Sequence, residues 1–93
     1  MITVIATVRA KPGKGPELEA DFRQWAEVVK AKEPGTLQYT LSRSREDPEL
    51  YYALELYADQ DAVDAHMKNF QARPAGPDVA AGPPQIQILD KIV

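Results

Sequence analysis

The stretch ELYYALELYA, residues 49–58, alternates like a β-strand yet has no polar face. Leu50, Tyr52, Leu54 and Leu56 share one side, while Tyr51, Ala53 and Tyr57, with Glu55 among them, share the other. Successive strand side chains point to opposite faces of a sheet, so this strand needs cover both above and below. One helical layer supplies one cover; the other has to come from a second copy of the chain. The closing stretch QIQILDKIV (85–93) repeats the demand, with Ile86, Ile88 and Ile92 on one face and Leu89 and Val93 on the other.

The remaining segments say where the helices fall. ITVIATVRA (2–10) is β-branched and alternating, a first strand, and KPGKGP (11–16) breaks it with prolines and glycines. Pro16 followed by Glu17 and Glu19 suits a helix start, and Leu18, Phe22, Trp25 and Val29 then recur at helical spacing until EPG (33–35) ends the run. TLQYTLSRS (36–44) and ELYYALELYA, joined by the turn REDP, predict an antiparallel hairpin. Asp59 is a good N-cap for a second helix running to about Phe70, with Val63, Met67 and Phe70 inward. ARPAGPDVAAGPP (72–84) reads as a loop with at most one short helical turn at 77–81, before the last strand. The order βαββαβ predicts one α+β, ferredoxin-like domain over residues 1–93, with a four-stranded antiparallel sheet and both helices on one face. The bare face predicts a homodimer through the sheet.

Composition excludes several chemistries. A chain of 93 residues has room for one small core, and with no cysteine it cannot add a disulfide or a thiolate metal site. A single histidine rules out a histidine-based metal cage and leaves no serine-hydrolase triad worth defending. PGKGP is not a phosphate-binding loop, since its prolines remove backbone donors and the required frame is missing. Asp59, Asp61 and Asp64 mix helix capping with a solvated face. The net charge of −3 gives no field for nucleic acid or an anionic membrane, and no segment has the length of a membrane span or the pattern of a signal peptide. The expectation is a cytoplasmic protein without cofactor or metal.

EPGTLQYTLSRSREDPELYYALELYADQDAVDAHM (33–67), with MITVIATVRAKPGKG at the start and AGPPQIQIL near the end, resembles the antibiotic biosynthesis monooxygenase (ABM) family. The resemblance implies the dimeric α+β barrel fold and a cofactor-free monooxygenase that oxidises a quinol, an anthrone or a similar electron-rich phenolic with O2. Relatives that degrade haem, a non-catalytic small-molecule-binding or stress-response dimer, and a lactone isomerase-type enzyme on the same barrel are the alternatives. Two departures stand out: the stretch HMKNF (66–70) lacks the second histidine common in the family, and the proline-rich ARPAGP replaces part of a longer helix.

His66 sits about 60° to one side of the stripe centred on Val63, at the margin of the buried face. A margin position lets one ring nitrogen reach a cavity while the other meets a polar neighbour, which suits a general base; a boundary histidine with a structural hydrogen bond is the alternative. Tyr39 and Tyr52 share the parity of the leucines on their strands, which are assigned to the helix side, and are read as catalytic or positioning phenols. Trp25, Met67, Phe70 and Leu54 are read as the apolar cage around a small aromatic substrate. By the same parity Tyr57 goes to the dimer side. Glu55 is either an interface carboxylate paired with Arg43, Arg45 or Arg9, or a second base.

Overall fold

A computed structural model describes all residues 1–93. The elements are β1 (Ile2–Arg9), α1 (Gly15–Lys32), β2 (Thr36–Arg43), β3 (Leu50–Tyr57), α2 (Gln60–Ala72) and β4 (Gln85–Asp90). The four strands form one sheet in the order β2-β3-β1-β4, every neighbouring pair antiparallel. The architecture is therefore the ferredoxin-like α+β arrangement that the element order predicts. No helix is long and apolar enough to cross a membrane.

Local chemistry accounts for the element ends. Gly13 takes φ +75° in the turn after β1, a left-handed conformation that favours glycine. Pro16 sits in the first turn of α1, where its missing N–H costs no hydrogen bond, and Lys30 and Lys32 lie in the last turn, where cations meet the negative helix end. Asp59 caps α2 as expected, its carboxylate accepting from the Ala62 N–H at 2.9 Å.

Strand register fixes which residues meet the helices. Val4, Glu55 and Tyr39 lie abreast on β1, β3 and β2, as do Ala6, Ala53 and Leu41 in the next row. Tyr51, Ala53, Glu55 and Tyr57 are all buried on this inner face. The sequence assignment of β3 is thus inverted: Leu50, Tyr52, Leu54 and Leu56 lie on the outer face, with Leu54 36% exposed. A register shift between Thr36 and Gln38 breaks the alternation of β2, which puts Leu37 outside, 49% exposed, while Tyr39 turns in.

The 73–84 segment contains no helical turn. It pairs back onto the end of β1 through Lys11 N–H to Val79 O and Ala81 N–H to Arg9 O, both 2.8 Å. Val79 then packs with Ala10, Leu18 and Tyr51 in a small core cluster. A second cluster of Val4, Tyr57 and Val63 holds α2 on the sheet. Between the two clusters the layers do not meet, and a cavity remains.

Candidate active site

The cavity is about 310 Å³, at the small end of the ~300–1,000 Å³ range of small-molecule sites. Val4, Ala6 and Ala53 make its floor; Phe22 and Trp25 of α1 and His66, Met67 and Phe70 of α2 make its roof; Tyr39 and Glu55 enter from β2 and β3. The lining contains no serine, threonine or cysteine of the kind used in acyl transfer and no lysine for imine formation. A wider, shallower depression of about 750 Å³ lies between α1 and β2, and there Glu19 pairs with Arg43 and Arg23. There Glu19 accepts from Tyr51 at 2.6 Å and Arg43 at 3.0 Å.

His66 is only 4% exposed. Its Nδ1 lies 2.8 Å from Glu33 Oε1. The same carboxylate accepts from the Thr36 hydroxyl at 2.8 Å and the Asn69 amide at 3.2 Å. A carboxylate offers lone pairs only, so Nδ1 carries a proton, and in the neutral form of the ring the lone pair lies on Nε2. Nε2 faces Glu55 Oε1 at 3.8 Å, too far for a hydrogen bond.

Glu33 reaches the imidazole because the EPG turn is pinned. The Ala58 N–H donates to Gly35 O at 2.9 Å, and a Cβ on Gly35 would fall 2.6 Å from Ala62 Cβ, so the turn lies hard against α2. In the sequence EPG reads as the end of the first helix and as part of the family-like stretch, with no role for Glu33 itself. One signal was available: Glu33 is the C-cap of α1, where a carboxylate opposes the helix dipole and needs another reason to be there.

Glu55 is buried on the cavity floor, 6% exposed, with the Tyr57 hydroxyl donating to its Oε1. Burial pushes the Glu55 carboxyl above the usual range, the Tyr57 hydrogen bond and His66 pull it back, and Glu33 adds to the rise. Burial likewise pushes the Tyr57 and Tyr39 phenols up, with the Glu55 charge adding to both. Tyr57, expected at a dimer surface, is instead buried in the core on the inner face, beside the His66 ring at 5.4 Å.

Tyr39 stacks on Phe22 at 4.9 Å and lies 5.0 Å from the His66 ring. Trp25 meets Phe70 edge-on at 6.1 Å, and the Arg73 guanidinium, paired with Asp21, lies over its face at 5.1 Å. Trp25 Nε1 is fully occluded without a hydrogen-bond partner, an arrangement that costs about 1–3 kcal/mol. Of the residues read from the sequence, the structure brings together His66, Tyr39, Trp25, Met67 and Phe70. Tyr52 and Leu54 are not among them, because their strand parity carries both to the outer face. No group of three His, Cys, Asp or Glu side chains is disposed to hold a metal ion.

The structure is a ferredoxin-like domain in which a carboxylate-held histidine borders a cavity walled by aromatic and aliphatic side chains. The chain belongs to the antibiotic biosynthesis monooxygenase family, whose model matches residues 1–75. A candidate antibiotic biosynthesis monooxygenase of Caulobacter crescentus is 37% identical, with TM-score 0.81 over 99% of this chain and 90% of that one. A Pseudomonas aeruginosa protein of known structure is 27% identical, with TM-score 0.81 over 99% and 94%. The haem degrader MhuD of Mycobacterium tuberculosis, solved with two haems in its active site, shares the fold at 24% identity, TM-score 0.77, over 100% and 97%. No curated protein matches the chain.

Proposed function

We propose that the protein is a cofactor-independent monooxygenase that oxidises a small, electron-rich phenolic, of quinol or anthrone type, with O2. The observation that carries this reading is the lone imidazole, held through Nδ1 by Glu33 with its other nitrogen unbonded, in a cavity whose walls are mostly aromatic and aliphatic. Such a substrate is itself the reductant, so the protein has to supply a base, a positioning donor and an apolar enclosure. Family membership supports oxygenase chemistry at the level of class.

In this mechanism His66 Nε2 takes the proton of the substrate, leaving an anion and an imidazolium whose charge Glu33 balances. The anion passes one electron to O2, and the resulting radical and superoxide combine to form a C–O bond. The imidazolium returns the proton to the peroxide. Loss of the hydrogen that remains on the peroxide-bearing carbon, as a proton, then breaks the O–O bond and leaves a carbonyl there, and the departing hydroxide takes up that proton to leave as water. Tyr39 donates to the substrate oxygen, while Trp25, Phe22, Met67 and Phe70 enclose the ring.

MhuD shares the fold at 24% identity, and its haem chemistry does not extend to this chain from the fold alone. The outer sheet face, with Leu50, Tyr52, Leu54 and Leu56, is assigned to contact with a second copy. The test is oxygen uptake by purified protein with naphthohydroquinone and anthrone and no added cofactor. Uptake above the spontaneous rate, lost in His66→Ala, supports the reading. Turnover that persists without oxygen identifies an isomerase instead, and binding without uptake identifies a binding protein.

A further inference from the structure

Glu55 is buried on the cavity floor, and its Oε1 stands 3.8 Å from the unbonded Nε2 of His66. Oε1 accepts from the Tyr57 hydroxyl, which fixes the carboxylate, while Oε2 takes part in no hydrogen bond. Trp25 Nε1 is the one fully occluded side-chain polar atom without a partner, so the unpartnered His66 Nε2 and Glu55 Oε2 are both open to the cavity that their residues line. In the neutral imidazole Nε2 is a lone pair, and an ionised carboxylate has lone pairs only. Two acceptors therefore stand side by side on one wall, and neither brings a hydrogen to the other.

A ligand that satisfies both has to carry two hydrogens. A monophenol carries one and serves one acceptor. Hydroxyls at opposite ends of a ring system carry two, but they diverge, whereas the acceptors lie only 3.8 Å apart. Hydroxyls on adjacent ring carbons stand about one hydrogen-bond length apart and point the same way, so each can donate over about 2.7 Å to its own acceptor. We propose that the cavity recognises vicinal dihydroxyaromatics, one hydroxyl donating to His66 Nε2 and its neighbour to the Glu55 carboxylate. Glu55 is then a substrate-binding group that sets selectivity among phenols. This deepens the oxygenase reading and rests on it for the aromatic ligand class; the hydroxyl at His66 is the one that gives up its proton in the reaction, and the neighbour keeps its own.

Calorimetric titration at pH 7 under nitrogen, where nothing can be oxidised, tests this with three naphthols. 2,3-Dihydroxynaphthalene is expected to bind about tenfold more tightly than 2-naphthol or 2,7-dihydroxynaphthalene, the worth of one hydrogen bond to a charged acceptor. Glu55→Leu erases that preference, and Glu55→Gln, which keeps a neutral acceptor, retains about threefold of it. Equal affinity for the three naphthols in the wild type overturns the proposal whether or not the variants fold, as does the absence of binding by any of them. A preference that survives Glu55→Leu overturns it too, since the second hydroxyl then has another partner. A preference for the 2,3-isomer with no oxygen uptake from it or from naphthohydroquinone leaves the proposal standing and sinks the oxygenase reading alone. Uptake that depends on His66, without the preference, does the reverse.

Discussion

Glu33, at the C-terminal end of α1, and His66, in the middle of α2, meet at 2.8 Å inside the protein, and that contact joins the two helices to one chemical purpose. The carboxylate holds the ring, and three donors hold the carboxylate. Glu33→Gln keeps the shape and one acceptor oxygen for Nδ1, but it removes the negative charge and sets an NH2 against the Asn69 amide. An imidazolium formed at His66 loses its counter-charge, and kcat falls by about 10²-fold, the worth of a well-placed general base, with KM little changed. Stability drops by about 1–3 kcal/mol for the charged hydrogen bonds lost. Steady-state oxygen uptake and urea unfolding measure the two effects separately.

Glu55 gives a pH signature of opposite sign to the usual carboxylate. Its folded pKa is raised, mainly by burial, above the unfolded value of about 4.3. Stability on its account is fully present below that unfolded value and is lost as pH rises toward the folded one, because the unfolded chain ionises first. Glu55→Gln can still accept from Tyr57 and no longer titrates. The variant is expected to gain stability relative to the wild type between pH 4 and pH 7, read as a difference in urea midpoints at the two pH values. A constant difference would mean that Glu55 ionises in the folded protein as it does in solution.

The helical half of this site was legible because periodicity carries it: Trp25, Met67 and Phe70 follow from stripes on α1 and α2, and His66 from its offset beside Val63. The β half was not. Leucines outrank tyrosines and a glutamate on any transfer scale, so the sequence points the leucine side of β3 inward. The protein does the reverse because the polar ends of the inner side find partners only in three dimensions, Tyr57 on Glu55 and Tyr51 on Glu19. The shift at Thr36/Gln38 likewise leaves no local mark, although it decides that Tyr39 turns in while Leu37 turns out. Glu33 carries no mark of its partner in the sequence, since His66 is 33 residues away and the EPG motif reads as a turn.

Gly35 couples stability to the site through one steric contact. A methyl there would sit 2.6 Å from Ala62 Cβ, with the α2 backbone next behind it. Gly35→Ala should push the turn away from α2, carry Glu33 off His66, and cost about 1–3 kcal/mol by overpacking. Ala62→Gly removes the obstructing methyl at a helix-propensity cost of about 1 kcal/mol. The double variant should therefore be more stable than the sum of the single effects allows and should regain oxygen uptake that Gly35→Ala loses. Strict additivity in the cycle would show that the contact does not govern the turn.

The outer face of β3 supplies the remaining test, since it separates what is apolar for assembly from what is apolar for the site. Leu54 stands opposite Ile5 on β1 and Thr40 on β2, in the middle of the exposed side, with Tyr52 two residues before it. If a second copy packs there, Leu54→Glu places a charge at the centre of the contact. The variant should sediment as a monomer under conditions where the wild type is dimeric. Tyr52→Phe removes only a hydroxyl from a residue that does not line the cavity, so its kcat should stay at the wild-type level while His66→Ala abolishes uptake. A Leu54→Glu protein that keeps the wild-type sedimentation coefficient would leave the leucine face uncovered, and the two-sided apolarity of ELYYALELYA would need another cause.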